Sequence, residues 1–136
     1  MDALTHPERK LSHIISTPFI WLPFLPAVLL DIAVEIYHHI CFPLYGLPLL
    51  NRSDYIKFDR HKLKYLSLSR KIGCLYCSYM NGFVNYARVI AALTEQYWCG
   101  IKHKPTPGFH EPEHHKDFIP YGDEQAYRKR YEQNSR

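Results

Sequence analysis

The chain has 136 residues, 15% aromatic residues and a formal net charge of +4. That length allows one domain with a tail, and the charge suits either an anionic membrane surface or nucleic acid. Four cysteines are too few and too unevenly placed for a secreted disulfide scaffold, so we expect reduced thiols in a cytoplasm-facing setting. Asp2, Glu8 and the prolines of the apolar region argue against a signal peptide.

The first part of the chain divides into polar residues 1–13 and apolar residues 14–50. The polar residues are expected to be loosely ordered. Pro23 and Pro26 predict a kinked helix, or a helix that starts near residue 26, and Gly46 helps to end it.

The free energy of inserting residues 19–41 into a bilayer is close to zero. About a dozen apolar side chains favour insertion by about 5 kcal/mol in total, whereas Asp31 and Glu35 each oppose it by about 3 kcal/mol. The segment is predicted to associate with a membrane, as a span or as an in-plane amphipathic helix; a buried helix of a soluble core is the alternative. If it spans, the seven Lys and Arg residues of positions 52–71 place the C-terminal side in the cytoplasm.

Four polar residues share one face of this predicted helix. Asp31, Glu35, His38 and His39 have the spacing i, i+4, i+7 and i+8. Glu35-x-x-His38 is half of a di-metal motif, but the chain lacks a suitable second half, so we prefer a polar face turned toward water, headgroups or a partner. A carboxylate inside an apolar run needs a cation, and we predict an ion pair between Asp31 and Arg88.

Basic and apolar side chains alternate at residues 59–68, which predicts a short basic helix. Its Arg60, Lys62 and Lys64 are expected to contact the phosphates of anionic lipids, with a solvated basic face as the alternative. A nucleic-acid partner is disfavoured because no recognisable binding module accompanies these residues.

Residues 73–98 carry few charges. Apolar side chains recur there at helical spacing, which predicts a helix over about residues 84–98. Asn81-Gly82 is a turn dipeptide and marks the predicted start of this helix.

Two pairs of residues flank that helix, Cys74-x-x-Cys77 and Cys99-x-x-x-His103. Three thiolates and one imidazole suit a tetrahedral zinc site, with iron or an iron–sulfur cluster as the alternative. In one unbroken helix Cys74 and Cys99 would lie about 37 Å apart, so the site requires the chain to reverse at the Asn-Gly dipeptide. A helical continuation would then place Cys99 and His103 on one face.

Other interpretations of the thiols stay open. Cys74 and Cys77 could form a redox dithiol, and all four cysteines could be small core residues. Cys41 is a packed thiol or a substitute for His103 as fourth ligand.

The remaining residues, 105–136, predict an extended tail. Residues 111–115 are rich in Glu and His and are expected to be solvated. Gly122 and Asp123 are predicted to cap a short final helix that continues through Arg130.

Four motifs carry a resemblance: Asp59-Arg-His61, Cys74-x-Tyr-Cys77-x-Tyr79-x-Asn81-Gly82, Thr94-Glu95-Gln-Tyr97-Trp98-Cys99 and Ile101-Lys-His103. They resemble an uncharacterised family of small bacterial membrane-associated proteins, over roughly residues 15–125. That resemblance implies a membrane link and the Cys/His site, but no reaction. The family carries Pro after the third cysteine, where this chain has Gly100.

The sequence therefore predicts an all-α protein in four parts, with an apolar membrane-associated helix at residues 14–50, a Cys/His-containing helical domain at 51–104, and short terminal segments at 1–13 and 105–136. We expect it at the inner membrane with its bulk on the cytoplasmic side. The predicted function is a metal-stabilised accessory or assembly protein that docks on a membrane complex. The alternative is an iron or iron–sulfur redox protein or enzyme in which Glu95 or Tyr97 acts on a substrate.

Overall fold

The computed structural model describes residues 6–132, which are mainly helical. The four α-helices are α1 (Lys10–Trp21), α2 (Phe24–Tyr45), α3 (Leu68–Trp98) and α4 (Glu124–Tyr131). Short 3-10 turns lie at Pro7–Arg9, Arg52–Asp54, Arg60–Lys62 and Glu113–His115. Over the described range, extended pairing is confined to one isolated parallel bridge between Ile101 and Ile119. The prediction of a helical protein with an apolar N-terminal helix is confirmed.

Pro23 divides the N-terminal apolar segment into two helices. α1 ends at Trp21, and α2 begins at Phe24 with Pro23 as its N-cap residue. Proline is tolerated at a helix start because the first N–H groups of a helix have no intrahelical partner. α2 ends before Gly46, whose φ of 72° is the left-handed cap conformation that glycine adopts without strain.

The outer surface of α1 and α2 is apolar. Lys10–Tyr45 is, by length and composition, the one stretch within residues 6–132 that could cross a membrane, and its most apolar window has a mean hydropathy of 2.0. A signal sequence can satisfy the same test. Only 6% of that window is buried in the protein. The exposed apolar side chains along α2 are Leu25, Leu29, Leu30, Ile32, Ile36, Ile40 and Leu44.

α3 continues through the Asn-Gly dipeptide, so the predicted chain reversal is wrong. A Cβ atom on Gly82 would lie 2.8 Å from the Tyr55 carbonyl oxygen and 2.9 Å from the Ile56 Cα atom. Glycine therefore lets the helix approach this backbone closely, and no turn is needed to explain it. The Asn81 side-chain amide donates to the Cys77 carbonyl at 2.9 Å, one turn back along the same helix.

Of the apolar residues that recur at helical spacing in this helix, Phe83, Tyr86 and Ile90 are buried, whereas Ala91 is exposed. The predicted basic helix at residues 59–68 is wrong. Before α3 begins at Leu68, that stretch holds only the 3-10 turn Arg60–Lys62, and Tyr65 is 79% exposed. A segment that buries no apolar face lacks the packing that stabilises most helices in proteins.

The chain forms two compact units, and the division falls inside α3, after Ile90. The first unit is Met1–Ile90, and its most buried side chains are Phe42, His38, Phe83 and Tyr86. The second unit is Ala91–Arg136, and its most buried side chains are His115, Phe118 and Ile119.

In the second unit, α3 stops because Gly100 takes a left-handed φ of 63°. The Ile119 N–H then donates to the Gly100 carbonyl at 2.9 Å, and the Lys102 N–H donates to the Ile119 carbonyl at 2.8 Å. These two hydrogen bonds bring residues 113–119 beside the last turns of α3. The predicted final helix is confirmed as α4, where the Asp123 carboxylate accepts from the Ala126 N–H at 2.9 Å.

Candidate functional site

Asp31 on α2 belongs to a polar network inside the first unit. The Arg52 guanidinium donates to both Asp31 carboxylate oxygens at 2.5 Å and to Glu35 Oε1 at 2.9 Å. The Tyr79 hydroxyl donates to Asp31 Oδ2 at 2.8 Å. Asp31 is 7% exposed, so its charge is compensated by protein groups and not by water.

The predicted cation for Asp31 is wrong. Arg88 is exposed on α3, and its guanidinium donates to Asn85 Oδ1 at 3.4 Å. Since Tyr86 and Ile90 face the interior, the residue midway between them faces outward on a 3.6-residue repeat. The actual partner, Arg52, lies in a 3-10 turn that follows α2.

His38 lies beside this network and is fully buried. Its Nε2 atom accepts from the Leu50 N–H at 3.0 Å, and its Nδ1 atom lies 3.0 Å from the Tyr86 hydroxyl oxygen. A neutral imidazole that accepts at Nε2 carries its proton on Nδ1, so His38 donates to Tyr86. We call Asp31, Glu35, His38, His39 and Arg52 the first cluster.

The groups around the first cluster are held in fixed protonation states. Burial raises the pKa of Tyr79 to about 12, and the hydrogen bond to Asp31 adds to this rise. Burial also raises the pKa of Tyr86 to about 12, with a further contribution from a hydrogen bond to Glu35. The hydrogen bond to Asp31 raises the pKa of the Arg52 guanidinium. Both phenols are therefore neutral donors at pH 7.

The structure does not assemble the predicted Cys74/Cys77/Cys99/His103 site. Cys74 and Cys77 are half-buried within α3, whereas Cys99 is exposed and directly follows the end of the same helix. α3 does not reverse between Cys77 and Cys99, as that site requires. The structure therefore gives no support to the predicted four-ligand zinc site.

The predicted helical pairing of Cys99 with His103 is wrong as well. α3 ends at Trp98, and the chain turns into the bridge at Ile101. The His103 ring lies instead near two other rings, with centroid distances of 5.6 Å to Phe109 and 5.8 Å to His115.

A second group of titratable residues lies in the second unit. Glu95 is in α3, and His114 and His115 are in the 3-10 turn Glu113–His115. Glu95 Oε2 lies 2.8 Å from His114 Nε2 and 3.0 Å from His115 Nε2. We call these three residues the second cluster.

The second cluster is partly enclosed. The side chains of Glu95, His114 and His115 are 33%, 19% and 2% exposed. The His115 ring stacks on Phe118 at a centroid distance of 4.6 Å, and its Nδ1 atom is buried without a hydrogen-bond partner. The hydrogen bond to His114, followed by the one to His115, holds the pKa of Glu95 below its usual range.

The second cluster does not follow from the sequence pattern, which predicts that His114 and His115 lie in a solvated tail. His115 is only 1% exposed, so that interpretation is wrong for this residue. The available signal was the apolar pair Phe118 and Ile119, three residues later, which anchors the tail. Chain order alone gave no reason to connect this segment with Glu95.

The predicted lipid-contacting residues lie in the irregular stretch before α3. The Arg60 guanidinium donates to the Ser78 hydroxyl at 2.9 Å, and Lys62 and Lys64 are exposed. Their contact with anionic lipid stays a prediction.

Comparison of the chain with protein-family models, curated proteins and solved structures found no match. The family resemblance suggested by the Cys, Tyr-Trp and Lys-His motifs therefore stays a prediction.

Both clusters contain a Glu and two His residues whose ligand atoms lie within 4.8 Å of one another. In the first cluster Glu35 is already paired with the Arg52 cation. In the second cluster the ion-pair partners of Glu95, within the described part of the chain, are the two histidines. The two clusters therefore differ in the partner of the Glu carboxylate, which is an arginine in the first cluster and two histidines in the second.

Proposed function

We propose that this chain is a membrane-anchored accessory protein, held in the bilayer through α1 and α2. The observation that carries the proposal is the outward apolar surface of α2. A core helix of a soluble protein turns its apolar stripe toward other protein elements. Here only 6% of the most apolar window is buried in the protein, and the side chains of Leu25, Leu29 and Ile36 are more than half exposed. Lipid is the solvent that suits such a surface.

The dimensions of α2 support this role. Its 22 residues rise about 33 Å. Leu25, Ile32 and Ile40 expose apolar side chains along that length, whereas Asp31 and His38 are buried. Such a helix can lie in the plane of the membrane interface with its apolar face in the acyl chains.

α1 adds a further apolar helix on the N-terminal side of Pro23. The Tyr76 hydroxyl donates to the Ile20 carbonyl near the end of α1. Aromatic contacts of Trp21 and Phe24 with Tyr76 fasten this junction to α3.

The charges on α2 are arranged as a membrane helix requires. Ionisable residues within spanning helices face protein and pair with one another, because an isolated charge in hydrocarbon is costly. Asp31 is paired with Arg52 and Tyr79, and Glu35 with Arg52 and His39. This pairing offsets part of the roughly 3 kcal/mol that each carboxylate would otherwise add against insertion.

For the location, we propose the inner membrane with the bulk of the chain on the cytoplasmic side. The support is the seven Lys and Arg residues of positions 52–71, which follow the apolar segment directly. Exposed Lys62 and Lys64 suit anionic headgroups, worth about 1 kcal/mol per basic residue near the surface. The proposed partner is another protein of the same membrane, because anchoring raises the effective concentration of both partners.

Alkaline carbonate extraction tests the anchoring. We expect the intact chain to stay in the membrane pellet and to dissolve only in detergent. The variant Leu25→Asp/Leu29→Asp adds about 3 kcal/mol per substitution against insertion and should leave the pellet. Leu25→Ala/Leu29→Ala is the matched control and should stay in it. Release of the unmodified chain by carbonate, or an intact mass showing removal of the α1–α2 segment as a signal sequence, overturns the proposal.

Thiol labelling tests the orientation. Cys99 is exposed, so it can report its own compartment once the other three cysteines are replaced by Ser. A membrane-impermeant maleimide should label Cys99 only after the cytoplasmic face has been opened. Labelling in intact cells would place Cys99 on the opposite side.

A further inference from the structure

We propose that Glu95, His114 and His115 form a binding site for one divalent transition-metal ion of the zinc type. The three side chains would be its protein ligands, and a fourth position would stay open to water or to a bound ligand. This inference concerns the second unit alone and does not depend on the membrane anchoring proposed above.

The donor set suits such an ion. Two imidazoles and one carboxylate bind Zn²⁺ in sites that keep a fourth, exchangeable position, and the same donors bind other divalent first-row ions. No thiolate takes part. This chemistry differs from the Cys-rich set that the sequence predicted, since it uses nitrogen and oxygen ligands brought together by the tail.

The geometry needs little adjustment. With ligand bonds of about 2.0–2.1 Å, tetrahedral ligands lie about 3.3 Å from one another. His114 Nε2 and His115 Nε2 lie 2.8 and 3.0 Å from Glu95 Oε2, as hydrogen-bonded groups. An ion would replace the shared protons, and the donor atoms would separate by a few tenths of an ångström.

The surroundings of His115 position its ring for an ion. Its Nε2 atom is directed at the Glu95 carboxylate, and the side chain is only 2% exposed. Stacking on Phe118 fixes the ring plane, which reduces the ordering needed when an ion binds.

The first cluster shows why the second one is the better site. Glu35 is paired with Arg52, whose positive charge repels a bound cation. His38 uses both ring nitrogens within the protein. The chain therefore carries an internal control of the same residue types, a Glu and two adjacent His residues, that should not bind metal.

The test uses the full chain without a polyhistidine tag, in detergent micelles, with Co²⁺ as the probe. We expect one Co²⁺ per chain, with d–d absorption bands and no thiolate-to-cobalt charge-transfer band. Glu95→Gln and His114→Gln should each weaken Co²⁺ binding by more than about 100-fold, beyond the roughly 10–100-fold typical of outer-shell partners. His39→Gln, the matched change in the first cluster, and Cys99→Ser should leave the affinity unchanged.

Circular dichroism of each variant separates loss of a ligand from loss of the fold. His114 is partly exposed and lies in a short turn, so His114→Gln should keep the wild-type helical signal. Absence of saturable Co²⁺ uptake by the wild-type chain overturns the proposal. Undiminished binding by folded Glu95→Gln, or equal loss in Cys99→Ser, overturns it too. Carbonate extraction is a separate readout, so failure of the anchoring proposal is distinguishable from failure of the metal site.

Discussion

Both clusters contain a Glu and two adjacent His residues, but these side chains have different bonding partners. In the first cluster one guanidinium bridges Asp31 and Glu35, and a buried histidine links the Leu50 N–H to a tyrosine. In the second cluster a single oxygen of Glu95 faces two imidazoles, with no Lys or Arg as ion-pair partner among the described residues. The first is closed by its own protein partners, whereas the second retains capacity for a cation.

This difference shows that composition and spacing do not define a metal site. Glu35-x-x-His38 matches a known ligand spacing, yet the Glu35 carboxylate is paired with Arg52, which lies outside the helix. Glu95 and His114 lie 19 residues apart and match no common spacing, yet their ligand atoms lie within hydrogen-bonding distance. In each cluster, the groups paired with the Glu carboxylate decide whether it is free to bind a cation.

The largest effect is expected from breaking the closed cluster at its cation. Arg52→Ala leaves the carboxylate of Asp31 uncompensated at 7% exposure, and we expect a loss of about 3 kcal/mol in the free energy of unfolding. Chemical denaturation in detergent measures it. Arg128→Ala breaks an exposed pair with Glu124 and should cost no more than about 0.5 kcal/mol. Equal losses in the two variants would contradict the closed network.

A second, smaller effect is expected at Gly82, because α3 must lie close to the backbone of residues 55–56, just after Arg52. Gly82→Ala would place a methyl group 2.8 Å from the Tyr55 carbonyl oxygen, and we expect a loss of about 2 kcal/mol. Asn81→Ala, on the exposed neighbouring position, should change stability by less than about 0.5 kcal/mol. A neutral Gly82→Ala would show that the contact is not tight in solution.

The third prediction concerns the buried histidine. His38→Leu fills similar space but leaves the Leu50 N–H without its acceptor and the Tyr86 hydroxyl without one of its partners, so we expect a loss of about 1.5 kcal/mol. Cobalt binding should be unaffected, because the metal is assigned to the second cluster. His39→Leu changes an exposed ring and serves as the control for stability. Reduced Co²⁺ affinity in His38→Leu would reverse our assignment of the two clusters.

Local patterns predicted the helical parts of the fold well. The apolar N-terminal segment, the buried face of α3 and the Asp123 cap of α4 all follow from periodicity and capping chemistry. The Asn-Gly dipeptide misled the analysis because glycine has two uses. It can form a turn, or it can remove a side chain where another backbone approaches, and only the neighbour at residues 55–56 decides between them.

The residues of both clusters were harder to predict, because their contacts join distant parts of the chain. The partner of Asp31 was sought along α3, where Arg88 interrupts an apolar run, but the structure supplies Arg52 from a loop. His115 seemed solvated because its neighbours are charged, yet Phe118 and Ile119 bury it. Helical periodicity carries no information about which loop residue reaches a helix from outside.

The smallest effect is expected at Tyr79. Its dependence on pH tests whether the tyrosine hydroxyl helps to hold the Asp31 carboxylate in the first cluster. Tyr79→Phe removes the phenolic donor to Asp31, and we expect a loss of about 1 kcal/mol at pH 7. The pKa of Tyr79 is raised to about 12 in the folded chain, above the value near 10 typical of an unfolded one. Its contribution to stability is therefore present below about pH 10 and is lost as pH rises from about 10 to about 12.

The difference in stability between wild type and Tyr79→Phe should accordingly shrink across that alkaline range. Arg52 stays charged there, since hydrogen bonding to Asp31 raises its pKa further, so the ion pair does not confound the measurement. Tyr65→Phe, at a position 79% exposed, should match wild type at every pH. A Tyr79→Phe difference that stays constant up to about pH 12 would mean that the hydroxyl contributes packing alone, and that the carboxylate of Asp31 is held by Arg52 without it.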